Sequence, residues 1–418
     1  MNAPSRLLEQ PAVGSALERV AWRVALAAAS RIAIGQLTVA LPDGSRRVFG
    51  DASAAAQDRA EIRLHDHQAL VRMLLHGETG GGEAYVDGLW SSPDLAGLLR
   101  LAARNREALA LSAGWYRIPG QIVRTVAHRL RRNTRAGARR NIAAHYDLGN
   151  DFYRLWLDET MTYSSALFET PDQPLADAQR AKYRRIAEGA GLRAGMHVLE
   201  VGSGWGGFAI YAARELGCRV TTVTISREQF EFVTARAREA SLSDMVDVQL
   251  RDYRDVTGTY DAVVSIEMLE AVGAAYFGSF FEMCDRALAP GGRLSLQVIT
   301  FPDAAYERQL RGANWIQTYI FPGGLCPSLA VIERSTRETR LLIHSATDIA
   351  DSYVRTLRAW REGFLARADD VRALGFDERF IRMWEYYLAL SEAGFATGIS
   401  QDLQIVFEKS RGMAPVSG

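Results

Sequence analysis

A chain of 418 residues, 48% hydrophobic and 23% charged, is long enough for two or three packed domains and too apolar to be disordered. Lys+Arg and Asp+Glu stand at 49 each, so the formal net charge is zero, which argues against a dedicated nucleic-acid binder needing a basic surplus for phosphate contacts. Three cysteines (Cys218, Cys284, Cys326) fit neither a zinc cluster nor a disulfide framework and suit a reducing cytosol, and no run reaches the ~18 apolar residues of a membrane span.

From Ser15 to Ile32, apolar residues recur at helical spacing (Leu17, Val20, Ala21, Val24, Ala25, Ala28) and predict a helix. Arg23 and Arg31 interrupt the apolar run, and no cleavage site follows it, so it is not a secretory signal. Leu37 to Leu41 and Arg47 to Phe49 flank Pro42-Asp43-Gly44-Ser45 and predict a hairpin. Helices are expected from His67 to His76 and from Ser92 to Ala113, separated by Gly77 to Trp90. Residues 1–115 therefore read as a small α+β domain. In the connector 116–141, eight arginines and no acid fall between Arg117 and Arg140, with Ile122, Val123, Val126 and Leu130 on one side. It reads either as a solvated linker or as a segment drawn to anionic lipid headgroups.

Strands and helices alternate from about 192 onward in the third segment, 142–418. The predicted elements are strand Met196 to Val201, helix Gly207 to Leu216, strand Arg219 to Ile225, helix Arg227 to Ala240, strands Val246 to Leu250 and Ala262 to Ile266, helix Tyr276 to Leu288, and strand Arg293 to Thr300. Helices Asp348 to Ala366 and Asp377 to Ala393 and a closing strand Asp402 to Glu408 complete it. Such alternation predicts an α/β fold with a doubly wound parallel sheet, its ligand held at the carboxyl edge.

The join of the first strand and first helix reads Leu199-Glu200-Val201-Gly202-Ser203-Gly204-Trp205-Gly206-Gly207. Glycines let the backbone lie against a ligand, and the free N–H groups of the helix favour a carboxylate or phosphate. The spacing Gly202, Gly204, Gly207 also satisfies the dinucleotide fingerprint, but no acid ends the second strand, where a dinucleotide fold places one for the ribose. Glu200 two residues before the first glycine, the later turn Ala289-Pro290-Gly291-Gly292 and the lack of a phosphate-binding lysine favour S-adenosylmethionine. No Ser or Cys sits in a nucleophile elbow, and Lys182 and the seven histidines show no metal-ligand spacing.

Four further blocks, His145 to Tyr153, Met161-Thr-Tyr-Ser-Ser-Ala166, Ser265-Ile-Glu-Met-Leu-Glu-Ala-Val-Gly273 and Tyr319-Ile-Phe-Pro-Gly-Gly324, resemble the cyclopropane-fatty-acyl-phospholipid synthases. The resemblance extends to Asp402 to Phe407 and back to Gly77 to Gly88, so it spans nearly the whole chain. It implies a class I methyltransferase with a Rossmann-like sheet, helical additions and a small N-terminal lipid-proximal domain. The implied enzyme is cytoplasmic, visits the inner face of the membrane, and transfers the methyl of S-adenosylmethionine to the cis double bond of a phospholipid acyl chain, forming a cyclopropane. Its partner is the phospholipid surface, not nucleic acid, and the family leaves room for a homodimer. Carried over by motif, Tyr163 and Ser164 hold the amino-acid end of the cofactor, Gly202, Gly204 and Gly206 form its loop, Gln229 meets the ribose, and Tyr253 and Arg254 flank the adenine. The resemblance further implies a bicarbonate ion as base, with ligands mapping to Ser165, Glu270, Gln297, Ile299 and Tyr353.

Methyl addition to an alkene leaves a carbocation, so aromatic faces and a dry base site are expected. Trp205, Tyr253, Phe321, Tyr353, Trp360, Tyr386 and Phe395 are the aromatic candidates, most of them expected to be core. Glu270, just past a strand's carboxyl end, is the first candidate to organise the base, with Glu267 facing the same choice between catalysis and a helix-start role. His145 and Asp147 are two residues apart, do not face one another on a helix, and read as structural. Family members nearest the type enzyme carry Cys at the position of Ser165, His at Gln297, Gly at Glu267 and His at Ala271. The form seen here looks like a branch that includes both ring-forming enzymes and relatives making methyl- or methylene-branched chains, the alternative product. A catalytically silent homologue that binds cofactor or lipid is the alternative of a different class, and methylation of a soluble amine is disfavoured by the basic connector and the N-terminal domain.

Overall fold

The computed structural model describes residues 15–110 and 148–411. The basic connector 116–141, His145 and Asp147 lie outside the described residues. Those described divide into two compact units, one formed by residues before 111 together with 375–397, the other by 148–374 together with 398–411.

The first unit carries a four-stranded sheet in the order β2-β1-β3-β4. Strands β1 (Gln36–Ala40) and β2 (Arg46–Gly50) form the expected hairpin, β3 (Arg59–Leu64) runs parallel to β1, and the short β4 (Trp90–Ser91) pairs with β3. The helix expected over His67 to His76 is interrupted at Gly77 as the sequence suggests, but the stretch 77–90, expected only to separate two helices, carries a helix of its own. Within Gln68–Val86, the non-helical Gly77 (φ 60°, ψ −137°) divides two helices, and Gly80, Gly81 and Gly82 are buried in the second. Glycine is a poor helix former, and packing of the buried Ala84 and Tyr85 overrides that weak preference.

The helix Glu378–Ala396, expected within an unbroken segment 142–418, belongs instead to the first unit. Tyr85 donates its hydroxyl to Glu385 at 2.6 Å, and Arg382 donates to the carbonyls of Tyr85 (2.6 Å) and Trp90 (2.9 Å). Tyr386 packs against the rings of Tyr85 and Trp90, so it and the buried Phe395 serve this unit's core.

The second unit is built on a seven-stranded sheet in the order β10-β11-β9-β8-β5-β6-β7. Strands β5 (His197–Val201), β6 (Arg219–Thr224), β7 (Val246–Leu250), β8 (Tyr260–Ile266) and β9 (Leu288–Thr300) are mutually parallel, as the alternation predicts. The far edge departs from that expectation: β11 (Gln401–Lys409) runs antiparallel to β9, and β10 (Leu341–Asp348), for which no strand was predicted, runs antiparallel to β11. Only Leu341 of β10 is buried, so the strand lacks the alternation that marks a half-buried one.

Period two along β5 assigns its side chains to the two faces. Val198 joins the cluster of Ile186, Ala209 and Ala212 from the helices Leu175–Ala190 and Gly207–Leu216. Leu199 and Val201 join Phe280 and Phe281 of the helix Phe277–Ala287 on the opposite face. The strand order reverses beside β5, which opens a crevice at the carboxyl ends of β5, β6 and β8. No helix among the described residues is long and apolar enough to cross a membrane, and no cluster of His, Cys, Asp or Glu among them could hold a metal ion.

Candidate active site

A cavity of about 170 Å³ occupies that crevice, lined by the glycine loop, the ends of β6 and β8, and residues 161–164. Gly202 takes φ +95°, and a Cβ there would meet the Met268 side chain at 3.0 Å, so the loop passes close to the segment after β8. Gly204 lines the cavity, whereas Gly206 does not: at φ +83° it caps the helix Gly207–Leu216 and rests against Val233, where a Cβ would come within 2.8 Å. The other residues assigned to the cofactor, Tyr163, Ser164, Gln229, Tyr253 and Arg254, all line the cavity. Gln229 is held by Thr224, whose hydroxyl donates to its Oε1 at 2.8 Å. Arg254 is fixed by a two-pronged pair with Asp252 (2.8 and 2.6 Å) and lies over the rings of Tyr253 and Tyr276. A glycine loop at a helix N-terminus, a fixed glutamine and a wall of aromatic and guanidinium faces fit a ligand with an amino-acid end, a ribose and a flat base.

Beyond the loop, three of the six residues assigned to the base site, Ser165, Gln297 and Tyr353, are drawn around a fourth, Glu267. The chain turns sharply after β8, and Glu267 adopts φ 47°, a left-handed conformation uncommon outside glycine and a mark of imposed strain. That turn delivers its carboxylate to three donors: Ser165 N–H to Oε1 at 2.8 Å, Gln297 Nε2 to Oε1 at 2.8 Å, and the Tyr353 hydroxyl to Oε2 at 2.7 Å. Gln297 is positioned because β9 pairs it directly with Ile266, the last residue of β8. Glu267 lines the cavity; Glu270 does not.

Ser165, Gln297 and Tyr353 all end on the Glu267 carboxylate, and Ile299 N–H donates to Glu270 Oε1 at 2.5 Å. Ser165 contributes its backbone N–H, while its hydroxyl turns away to the Ala166 carbonyl at 3.0 Å. The donors that the resemblance assigns to a separate anion are occupied by the chain's own carboxylates, so the residues present do not fit a bicarbonate ion.

Desolvation raises the carboxyl of Glu267, against the opposing effects of the Lys182 charge and the bonds from Ser165, Tyr353 and Gln297. Burial pushes Glu270 up to about 8, reinforced by the neighbouring Glu267 charge, and its buried Oε2 has no hydrogen-bond partner among the described residues. Glu200, on the β5 face shared with Val198, is pushed up to about 8 by burial although the Thr222 hydroxyl donates to it at 2.5 Å. An unfolded chain ionises Glu200 near 4.5, so the folded state holds a proton that the unfolded state has lost between there and about 8. Its contribution to stability is therefore full below 4.5 and disappears as the pH rises through about 8. Glu200→Gln keeps the neutral shape at every pH. In thermal melts it is expected to match the wild type at acid pH and to melt several degrees higher above pH 8; coincident curves at both ends contradict this.

Two charged residues that the sequence reading left without a role meet here. Lys182 sits on the buried stripe Ala178, Lys182, Ile186 of its helix, and its Nζ donates to Ser164 Oγ at 2.6 Å. Asp402, wholly buried in β11, accepts from Gln297 Nε2 at 3.0 Å. A lysine at an apolar position of a helix and an aspartate within a buried strand were the available signals. Of the remaining aromatic candidates, Trp205 and Tyr253 line the cavity, while Phe321 and Trp360 pack on Tyr163 at centroid distances of 6.4 and 5.2 Å.

Residues 133–405 match the family model for mycolic acid cyclopropane synthetase. The chain is 44% identical over 360 residues to the tuberculostearic acid methyltransferase UfaA1 of Mycobacterium tuberculosis (strain ATCC 25618 / H37Rv), covering 84% of this chain and 83% of that protein. It is 34% identical over 358 residues to the cyclopropane-fatty-acyl-phospholipid synthase of Escherichia coli (strain K12), covering 84% and 88%. Among solved structures it is similar to the mycolic acid cyclopropane synthase CmaA1 complexed with SAH and CTAB, with a TM-score of 0.61 and 29% identity over 65% of this chain and 98% of that one. SAH is the product left by S-adenosylmethionine after methyl transfer. The chain belongs to the mycolic acid cyclopropane synthetase family and is an S-adenosylmethionine-dependent methyltransferase of the lipid-modifying kind.

Proposed function

We propose that this enzyme methylates the cis double bond of an unsaturated fatty-acyl chain of a phospholipid and that Glu267 takes the proton released afterwards. The observation that carries this reading is the convergence of Ser165 N–H, Gln297 Nε2 and the Tyr353 hydroxyl on the Glu267 carboxylate at the cavity wall. S-Adenosylmethionine, when bound, supplies an electrophilic methyl group. An alkene is a weak nucleophile, so the site must hold it in attack geometry and keep water away. Trp205 and Tyr163, which line the cavity, offer aromatic faces to a developing cation. Glu267 is a desolvated carboxylate with a raised pKa, suited to accept a proton there. Tyr163, Ser164, Gly202, Gly204, Gln229, Tyr253 and Arg254 hold the cofactor on this reading, with Gly206 shaping the loop.

Where the proton leaves decides the product. Loss from the added methyl closes a cyclopropane, as the names of the Escherichia coli relative and of the family imply. Loss from a neighbouring chain carbon leaves a methyl-branched alkene, and this second reading is favoured by the kinship with a tuberculostearic acid methyltransferase. The acyl substrate lies in membranes, so the enzyme works from the cytoplasmic side as a peripheral protein. Gas chromatography and mass spectrometry of lipids from unsaturated phospholipid vesicles incubated with labelled cofactor are expected to show a gain of one carbon. A product that resists mild hydrogenation supports the ring, and one that takes up hydrogen supports the branched alkene. No labelled acyl product from any unsaturated phospholipid refutes both.

A further inference from the structure

Lys182 is completely shielded from solvent, and an ammonium in that position is costly unless something compensates it. Its only hydrogen bond in the described set is to a neutral hydroxyl, Ser164 Oγ at 2.6 Å, and its Nζ lies 4.9 Å from the centroid of the Tyr183 ring. The charges that act on it come from several elements: Glu267 after β8, Asp158 from the segment before the cavity, Asp402 in β11 and Glu200 in β5. One ammonium cannot balance all of these carboxyls.

Hydrogen bonding shows where the negative charge settles. Glu267 receives three donors, the environment of an ionised carboxylate. Glu200 receives one side-chain donor, from Thr222. Asp402 receives the second proton of the Gln297 amide on Oδ2, and its buried Oδ1 has no partner among the described residues. The charges of Glu267 and Glu270 further disfavour ionising Asp402.

We propose that Lys182 is a positioning residue for the methyl-transfer reaction: its ammonium keeps the Glu267 carboxylate ionised and able to take a proton, while Asp402 and Glu200 stay neutral around it. This rests on the reading of Glu267 as the base. Ser164, which lines the cavity, orients the ammonium from the cofactor side. Burial lowers Lys182 to about 8, so it still carries its charge at neutral pH. The raised carboxyl of Glu267 makes it a better proton acceptor, but only while a neighbouring cation keeps it from being protonated beforehand.

The test compares Lys182→Met, Ser164→Ala and Glu267→Gln, with turnover followed by label transfer from S-adenosylmethionine to unsaturated phospholipid vesicles across pH. Lys182→Met is expected to lower kcat about tenfold or more and to move the acid limb of the profile upward by about one pH unit or more, with KM for the cofactor changed less than about threefold. Ser164→Ala removes the hydrogen bond but keeps the charge, so its acid limb stays in place. Wild-type kcat or an unmoved limb in Lys182→Met, with Glu267→Gln inactive, overturns the role of Lys182 and leaves the base reading standing. A limb displaced as far in Ser164→Ala also overturns it, by tracing the effect to the hydrogen bond. Full activity in Glu267→Gln overturns the base reading itself. Should Lys182→Met fail to fold, the infrared difference between wild type and Glu267→Gln decides: an ionised carboxylate stretch at neutral pH supports the proposal, and a protonated carboxyl overturns it.

Discussion

Glu267→Gln is expected to lower turnover by roughly 10²–10⁴-fold, the usual contribution of a positioned general base. Glutamine fills the same volume, and with its one carbonyl oxygen at the Oε1 position it still accepts from Ser165 N–H and Gln297 Nε2 while its amide donates to the Tyr353 hydroxyl, so the fold and the cavity survive. What disappears is an atom that can take a proton. The flipped amide, with its nitrogen at the Oε1 position, would face both the Ser165 N–H and Gln297 Nε2 at a local cost of about 1–3 kcal/mol, so the unflipped orientation is the one expected. Cofactor affinity, measured by calorimetry, is expected to stay close to wild type, because the glycine loop, Gln229 and Arg254 are untouched. A variant that retains most of its turnover contradicts the assignment. By contrast, Glu270→Ala releases only the Ile299 N–H, so its loss of turnover is expected to be smaller than that of Glu267→Gln.

Gly202→Val is expected to have the opposite signature, weakening the cofactor about tenfold or more, because left-handed strain of about 1–3 kcal/mol falls on the loop that must lie against it. Gly202 stands at φ +95°, and its Cβ would already crowd the Met268 side chain at 3.0 Å. A branched side chain pushes either the loop or Met268, which follows Glu267, and both line the cavity. Calorimetric titration with S-adenosylmethionine checks this, and unchanged affinity removes the loop from the cofactor site.

The glycine loop and the five parallel strands around it were readable from the residues, because local pattern determines them: apolar strands, small-residue helices and a turn that needs positive φ. The boundaries of Gly207–Leu216 and Val246–Leu250 coincide with those predicted. What escaped the reading was decided at long range. Strand β10 has seven exposed residues of eight and earns its place by pairing with β11. Helix Glu378–Ala396 has an ordinary amphipathic pattern, and only contacts with Tyr85 and Trp90, about 300 residues earlier, assign it to the first unit. The candidate site shows the same division. Glu267, Glu270, Gln297 and Tyr353 could be named from motifs, but their grouping could not, since Glu267 takes the place that motif mapping gives to an external ion. Lys182 and Asp402 went without roles because their partners lie on other elements of the sheet.

The most direct test of the central claim is turnover in carbonate-free buffer, with and without added bicarbonate. If the Glu267 carboxylate occupies the anion position and performs its task, the wild-type rate is the same in both. Activity that vanishes when bicarbonate is stripped and returns when it is restored contradicts the account.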